Sequence, residues 1–218
     1  MRSGRVEGRR SVPEVPNRDL RDPRALRAFA HPVRLRLMEE LLTTGPATAS
    51  ELAERVGESA ANCSWHLRQL ARYGFVEEAG GGAGRQRPWR LVVQTHSWGS
   101  GDETPELAVA ADAASEMLLE REVAALRTWR AVRRVAPPEW RAGAFVAQSQ
   151  AYLTADELAA IHREVEALLL RYLPRLSDPE SRPPGAHLVR LVAWGAPAQP
   201  FPTDPQPTSD PQRAERQS

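Results

Sequence analysis

The sequence predicts a mainly α-helical protein with a small amount of β structure. Up to about residue 72, apolar residues recur at helical spacing in segments that proline and glycine separate. The glycine-rich segment 80–84 then lies between two short strand candidates. A long helical pattern runs from Pro105 to about Arg134. These three observations predict a first domain of short helices with a hairpin, followed by a long helix and a small α+β unit.

Composition and charge narrow the class of protein. Every one of the 29 basic residues is arginine. Residues 1–95 hold 16 arginines and 11 acidic residues, whereas residues 96–218 hold 13 arginines and 17 acidic residues. A basic first half and an acidic second half favour a nucleic-acid-binding domain joined to a partner or ligand domain. The chain has one cysteine, no secretory leader and no long apolar run, so we expect a cytoplasmic protein without membrane segments.

The chain divides into four predicted segments. Residues 1–21 are rich in arginine, glycine and proline, which predicts a disordered arm. We expect residues 22–95 to form the first domain and residues 105–194 the second, with a linker rich in serine, glycine and aspartate between them. Residues 195–218 hold many prolines and no large aliphatic residue, so they predict a disordered tail.

Prolines, glycines and capping residues set the helix boundaries in the first domain. Pro32 cannot continue a helix without losing a backbone hydrogen bond, so we expect the first helical pattern to break there and restart with Pro32 in its first turn. Thr48 and Glu51 have the spacing of a capping box for the next helix. Ser59 is a good N-cap for a further helix, which Gly74 is placed to end.

The helix that begins after Ser59 has an unusual surface for a solvated helix. Ala60, Cys63, Leu67 and Leu70 form one apolar seam, and no acidic residue occurs between positions 59 and 76. A helix that enters the negatively charged major groove must avoid carboxylates and offer hydrogen-bonding side chains. The side chains off the seam fit that requirement; they are Asn62, Ser64, Trp65, His66, Arg68 and Gln69.

A basic hairpin follows this helix. Segments 75–79 and 87–93 are strand candidates, and the loop with its exit carries Arg85, Arg87 and Arg90. A flexible hairpin with guanidinium groups at its tip is typical of the wing of a winged helix, which reaches phosphates or the minor groove beside the recognition helix. Helix, tight turn, polar helix and wing together predict double-stranded DNA as a partner.

Five short motifs occur in fixed order along the first domain: Ala28–Met38, Ala49–Val56, Ser64–Leu70, Gly74–Val76 and the Gly84-Arg85 pair. Over about residues 22–93 they resemble the ArsR-type (arsenic-repressor-like) winged helix-turn-helix regulators of bacteria. The resemblance implies a homodimer that reads a partly palindromic operator. It implies that the residues on or near DNA are Ser59, Asn62, Ser64, Trp65, His66 and Arg68, with Arg85 and Arg87 in the wing.

Alternatives remain at three of these positions. Trp65 is expected either to contact DNA or to pack against the first helix of the domain. His66 is expected either to hydrogen-bond DNA or to lie half-buried between helices. Cys63 is expected in the core, and a lone cysteine argues against the thiolate metal site of the family's metal sensors. We predict no catalytic residue, no metal ligand and no cofactor.

The second domain is predicted to pair subunits. A helix as long as the one from Pro105 needs a partner surface, and its copy in a second subunit is the simplest one. Segments around Phe145 and from His187 to Trp194 are expected to be strands, and Thr154 with Glu157 is expected to cap the helix between them. Four aromatic side chains either form an ordinary core or bind a small-molecule effector: Trp129, Trp140, Phe145 and Trp194.

The sequence therefore predicts a sequence-specific DNA-binding transcriptional regulator and no enzyme. Its recognition helix would lie in the major groove, with the arginine-bearing wing on the flanking backbone. One alternative is a winged helix that serves as a protein-interaction module without a specific operator. The other is the same regulator gated by a small-molecule effector in the C-terminal half.

Overall fold

The computed structural model describes residues 16–80, 87–99 and 104–199. These ranges are mainly helical, as predicted, with four short strands and two 3-10 turns, at Arg133–Val135 and Pro179–Ser181. The strands are β1 (Asn17–Asp19), β2 (Val76–Glu78), β3 (Trp89–Leu91) and β4 (Thr95–Ser97). The helices are α1 (Pro23–Phe29), α2 (Pro32–Thr44), α3 (Ala49–Val56), α4 (Ala60–Arg72), α5 (Pro105–Val132), α6 (Pro138–Gly143), α7 (Ala155–Leu170) and α8 (Pro174–Ser177).

The helix boundaries of the first domain follow the predicted prolines and caps. α1 ends at Phe29, and α2 restarts with Pro32 in its first turn. The amide of Glu51 donates to the Thr48 hydroxyl at 3.3 Å, and the Thr48 amide donates to the Glu51 carboxylate at 2.7 Å, so the predicted capping box of α3 is confirmed. Gly74 follows α4 with a φ of +70°, a left-handed conformation that favours glycine at this position.

The hairpin after α4 is confirmed, although its strands are shorter than predicted. β2 and β3 pair antiparallel, with Val76 opposite Leu91 and Glu78 opposite Trp89. Trp89 also exchanges two backbone hydrogen bonds with Ala47, just before α3, which fixes the base of the hairpin beside that helix. Residues 81–86, and with them Arg85, lie outside the described residues.

A second pair of strands corrects two sequence-based predictions. β1 and β4 pair in parallel, with Asn17 opposite Thr95, and Leu20 behind β1 is only 2% exposed. The predicted disordered arm is therefore wrong for residues 17–20, and the predicted linker is wrong for Thr95–Ser97. Pairing between segments so far apart in the chain leaves no local pattern in the sequence. Residues 1–15 of the predicted arm lie outside the described residues.

The hydrophobic core belongs to the first domain and the start of α5. Its fully buried side chains are Leu26, Leu37, Leu52, Cys63, Leu67, Leu70, Phe75 and Val76. α5 contributes a stripe of four buried side chains within its first ten residues: Leu107, Ala110, Ala111 and Ala114. This stripe packs against α1. The small side chains let α5 approach closely, so the first turns of the long helix are part of the same folded unit as the recognition helix.

The chain after α5 differs from the predicted α+β unit. The capped helix is confirmed as α7, with a capping box of Thr154 and Glu157. The two predicted strands are wrong: the chain around Phe145 and from His187 to Trp194 has no strand among the described residues. Helices α6, α7 and α8 have no buried residue, so this region lacks a core of its own in one chain. Without neighbouring strands to share backbone hydrogen bonds, these apolar segments cannot form a sheet.

Arg190 ties this region to the rest of the molecule. Its guanidinium donates to the Glu122 carboxylate of α5 at 2.8 Å and also to the carboxylate of Glu39 in α2. Arg121 of α5 approaches the second oxygen of Glu39 at 3.1 Å. These ion pairs are partly exposed, and a network of several charges contributes more than an isolated surface pair.

Candidate nucleic-acid interface

The recognition helix α4 has a buried side and an open side. Cys63, His66, Leu67 and Leu70 are buried against α2, α3 and β2. Ala60 is exposed, so its predicted place on the seam is wrong. His66, which lies about one turn after Cys63, belongs to the buried side instead. The side facing away from the core carries the side chains of Ala61, Trp65, Arg68 and Arg72. Arg72 extends the predicted DNA-facing set by one turn.

Of the predicted contacts that lie in the described residues, His66 is the one that is buried. Its ring is 4% exposed and lies 4.8 Å from the ring of His31, centroid to centroid. Burial, and then the charge of Arg34, lowers the pKa of His66, which keeps the ring neutral. His66 therefore packs between α4 and the start of α2, which is the second of the two positions expected for it. Histidine is amphipathic and occurs on both the buried and the exposed side of helices. The helical spacing alone therefore does not decide between the two positions.

Trp65 occupies an intermediate position. Its side chain is 49% exposed, and its ring meets the edge of the His66 ring at 4.8 Å between centroids. One side of the indole is therefore held by the domain while the other side faces solvent. A ring fixed in this way can present apolar surface to a thymine methyl or a sugar at little cost in side-chain entropy.

Ser64 and Arg68 lie beside the hairpin, one turn apart on α4. The Arg68 guanidinium donates to the Ser64 hydroxyl at 2.6 Å, which directs Arg68 along the helix. Both residues line an open cleft of about 440 Å³ between α4, the start of α3 and the hairpin. The other side chains on its wall are Thr48, Ala49, Ser50, Ala60, Glu78, Arg87 and Trp89. The fold thus brings together Ser64, Arg68 and Arg87, three of the predicted contacts.

Thr48, Ser50 and Trp89 are cleft residues that the sequence did not single out. Thr48 and Ser50 stand at the N-terminal end of α3, and Trp89 is the first residue of β3. The sequence indicates Thr48 only as a helix cap. Ser50 lies in the first turn of α3. The free backbone N–H groups of a helix N-terminus attract anions such as phosphate, so this position is the signal that could have identified Ser50 from the sequence.

The hairpin carries two ion pairs on opposite faces. Arg87 donates to the Glu78 carboxylate at 2.6 Å on the cleft side. Arg90 donates to the Glu77 carboxylate at 2.8 Å, and neighbouring residues on a strand point to opposite faces. The Glu78 carboxylate raises the pKa of Arg87, which stays charged. Two carboxylates at the base of the wing therefore pair with Arg87 and Arg90, and the number of arginines in the sequence does not reveal this.

The remaining predicted contacts lie at the start of α4. The Ser59 hydroxyl caps the helix by accepting from the Asn62 amide at 3.1 Å. The side-chain amide of Asn62 donates to the Glu58 carboxylate at 2.9 Å, and Glu58 also binds Arg36 of α2 at 2.9 Å. Ser59 is exposed and Asn62 is half-buried. The side chains of both residues already form hydrogen bonds within the domain.

Cys63 lies in the core, as predicted. The residue is fully buried, and burial raises the pKa of its thiol. Within the three described ranges, no group of three or more histidine, cysteine, aspartate or glutamate side chains is arranged to hold a metal ion. Among the same residues, no helix is long and apolar enough to cross a membrane.

Comparison with known proteins agrees with this geometry. Residues 29–79, which run from the end of α1 to the hairpin, match a family described as "Helix-turn-helix domain". The chain carries a winged helix-turn-helix domain. This match and the elements described above confirm the predicted winged helix-turn-helix fold of the N-terminal domain. Comparison with curated proteins finds no match.

Several solved structures similar to this chain are described as transcriptional regulators or possible ones. The winged helix-turn-helix domain of a possible ArsR-family regulator from Mycobacterium bovis is 24% identical, with 46% of this chain and 75% of that chain covered and a TM-score of 0.29. A MarR family transcription regulator is 19% identical, with 71% and 78% covered and a TM-score of 0.30. ZitR of Lactococcus lactis, solved in complex with DNA, is 17% identical, with 65% and 71% covered and a TM-score of 0.26. The winged helix-turn-helix domain is supported by its own elements and by the family match.

Proposed function

We propose that this protein is a cytoplasmic transcriptional regulator of the ArsR type that binds a specific operator in double-stranded DNA as a homodimer. The observation that carries the proposal is the open side of α4. It has no acidic residue, and it ends at a cleft where Ser64, Arg68 and Arg87 converge. A helix with this surface is suited to the major groove, and the adjoining hairpin to the phosphate backbone.

The side chains on α4 divide between two roles in this proposal. Trp65 and Arg68 face away from the core and would reach base edges. Ser59 and Asn62 at the helix start would contact the backbone or the first base of the half-site. Arg87 would bind a flanking phosphate together with Arg85, which lies outside the described residues. His66 would act indirectly, by fixing the position of Trp65.

The homodimer is proposed from the length and surface of α5. The helix has 28 residues, about 42 Å at 1.5 Å per residue, yet only its first ten residues contribute buried side chains. Val109 and Leu119 are exposed and lie on the side facing away from that buried stripe. A second copy packed along this side would cover them and would set two recognition helices at a fixed spacing, which a partly palindromic operator requires.

Selection from a pool of random duplexes tests this function. The full chain is expected to enrich a partly palindromic motif, because two symmetric recognition helices read two half-sites. Trp65→Ala should then bind that motif less tightly while binding scrambled duplexes as before, since base contacts carry the sequence preference. A pool without any enriched motif would contradict the proposal and would favour a winged helix that binds another protein.

A further inference from the structure

A second cleft, of about 610 Å³, lies at the far end of α5. It forms where the last turns of α5, the 3-10 turn after it, α6 and the chain from Ala144 to Val146 come together. Leu126, Trp129, Phe145 and Val146 supply an apolar surface. Its volume falls within the range of small-molecule pockets, roughly 300–1,000 Å³.

The rest of the cleft wall is positively charged. Arg130, Arg133, Arg134 and Arg141 line it, and no acidic side chain does. Among the described residues none of these four arginines forms a salt bridge, whereas Arg121, further back on α5, does. This is a concentration of uncompensated charge in the half of the chain where acidic residues are in excess.

Helix stability does not account for the whole cluster. Arginines in the last turn of α5 interact favourably with the negative end of the helix dipole, which explains a preference for basic residues at 130–134. Arg141 belongs to α6, and its guanidinium turns back to the carbonyl of Arg134 at 3.4 Å. Trp129 and Phe145 stand in the same cleft, and Phe145 leaves 76% of its surface exposed. A dipole effect requires neither an apolar wall nor a second helix.

We propose that this cleft binds a small aromatic carboxylate. The planar guanidinium groups match a carboxylate in two-point hydrogen bonding. The rings of Trp129 and Phe145 offer the apolar and stacking surface that a flat aromatic ligand needs. A simple inorganic anion would leave that surface unused. Of the four aromatic residues that the sequence suggested for an effector, the fold brings only Trp129 and Phe145 to this cleft.

Calorimetry with the full chain and without DNA tests the site, so its result is independent of the proposed operator binding. The probes are 2-naphthoate and its neutral isostere 2-naphthamide. We expect 2-naphthoate to bind once per chain and at least tenfold more tightly than the amide, because charge-assisted hydrogen bonds hold the carboxylate. Benzoate, which offers less ring surface, should bind more weakly than 2-naphthoate.

Variants separate the charged and the apolar contributions. Arg130→Gln with Arg141→Gln should weaken 2-naphthoate binding at least tenfold and leave the amide unchanged. Trp129→Leu should weaken both probes, and Trp129→Phe should restore much of the affinity because it returns a ring. The matched control is Arg163→Gln with Arg171→Gln, which removes two exposed charges from α7 and its C-terminal end and should have no effect. Circular dichroism and thermal melting establish that each variant is folded.

Three results would overturn the proposal. The first is an absence of 2-naphthoate binding at millimolar concentration, and the second is equal affinity for naphthoate and naphthamide. The third is displacement of 2-naphthoate by inorganic phosphate or by a short duplex at lower concentration than by benzoate, which would show that the arginines bind phosphate groups.

Discussion

Replacement of Glu78 by glutamine is predicted to tighten binding to every DNA duplex. Glu78 places a negative charge on the wall of the cleft that phosphates would approach, beside Arg68 and Arg87. Glutamine keeps the size of the side chain and an oxygen that can accept from Arg87, but it removes the charge. Glu77→Gln is the matched control, because Glu77 and its partner Arg90 occupy the opposite face of the hairpin.

The expected size follows from simple electrostatics. A unit charge about 7 Å from a phosphate changes the affinity about threefold at the dielectric constant of water. Salt screens charges over about 8–10 Å, so the more distant Glu77 should contribute less than Glu78. Arg87→Ala gives the complementary result: losing one phosphate contact should lower the slope of log affinity against log salt by about 0.9 for each half-site.

Fluorescence anisotropy with one labelled duplex, at low and at physiological salt, measures all three variants. The order predicted for affinity is Glu78→Gln above Glu77→Gln, which stays close to the unmodified protein, with Arg87→Ala lowest. If Glu78→Gln and Glu77→Gln tightened DNA binding equally, the affinity would depend on the net charge of the hairpin and not on which face of the hairpin carries that charge. Weaker binding by Glu78→Gln would show that DNA does not approach through this cleft.

Three further predictions concern the fold around the interface. Phe75 is fully buried, so Phe75→Ala should lower the free energy of unfolding by about 3–5 kcal/mol. Urea denaturation measures this change. Burial, and then the charge of Arg18, lowers the pKa of His96 to about 4, below its ordinary value of 6.5. The folded protein therefore binds fewer protons than the unfolded chain, so stability is retained above pH 6.5 and falls as the pH drops toward 4. If the His96 ring were fully buried, the free energy of unfolding would fall by about 2 kcal/mol between pH 7.5 and 5. Solvent screening of the exposed part of the ring reduces this loss to about 1 kcal/mol. His96→Phe should remove that part of the loss, and an unchanged pH dependence in this variant would contradict the assignment. Arg190→Ala should release the chain after α5 from its two carboxylate partners and speed limited proteolysis there, whereas the same cleavage rate in both proteins would show that the ion pairs do not hold it.

Local chemistry in the sequence was sufficient for the elements of the first domain. Pro32, the Thr48 capping box, Ser59 and Gly74 each act within one turn of the chain, so their effects could be read from neighbouring residues. The hairpin followed from its glycines and from the two strand candidates on either side of them. The acid-free surface of α4 likewise depends on composition alone, and it directs the proposed interface to this helix.

The errors concern features that depend on distant parts of the chain. Leu20 is buried because β1 pairs with β4, and no local pattern announces that pairing. His66 could face either way until the position of His31 was known. The apolar runs near Phe145 and before Trp194 have strand-like composition, yet no partner strand is available to them in the described chain. Pairing of Glu78 with Arg87 required the register of the hairpin.

Specific DNA binding is the central claim, and one titration tests it most directly. Fluorescence anisotropy would compare the DNA upstream of the protein's own gene with a scrambled duplex, each at two salt concentrations. The account predicts tighter binding to the native sequence and a steep loss of affinity with salt for both duplexes, since phosphate contacts supply the shared part. Equal and weak binding to the two duplexes at both salt concentrations would contradict it.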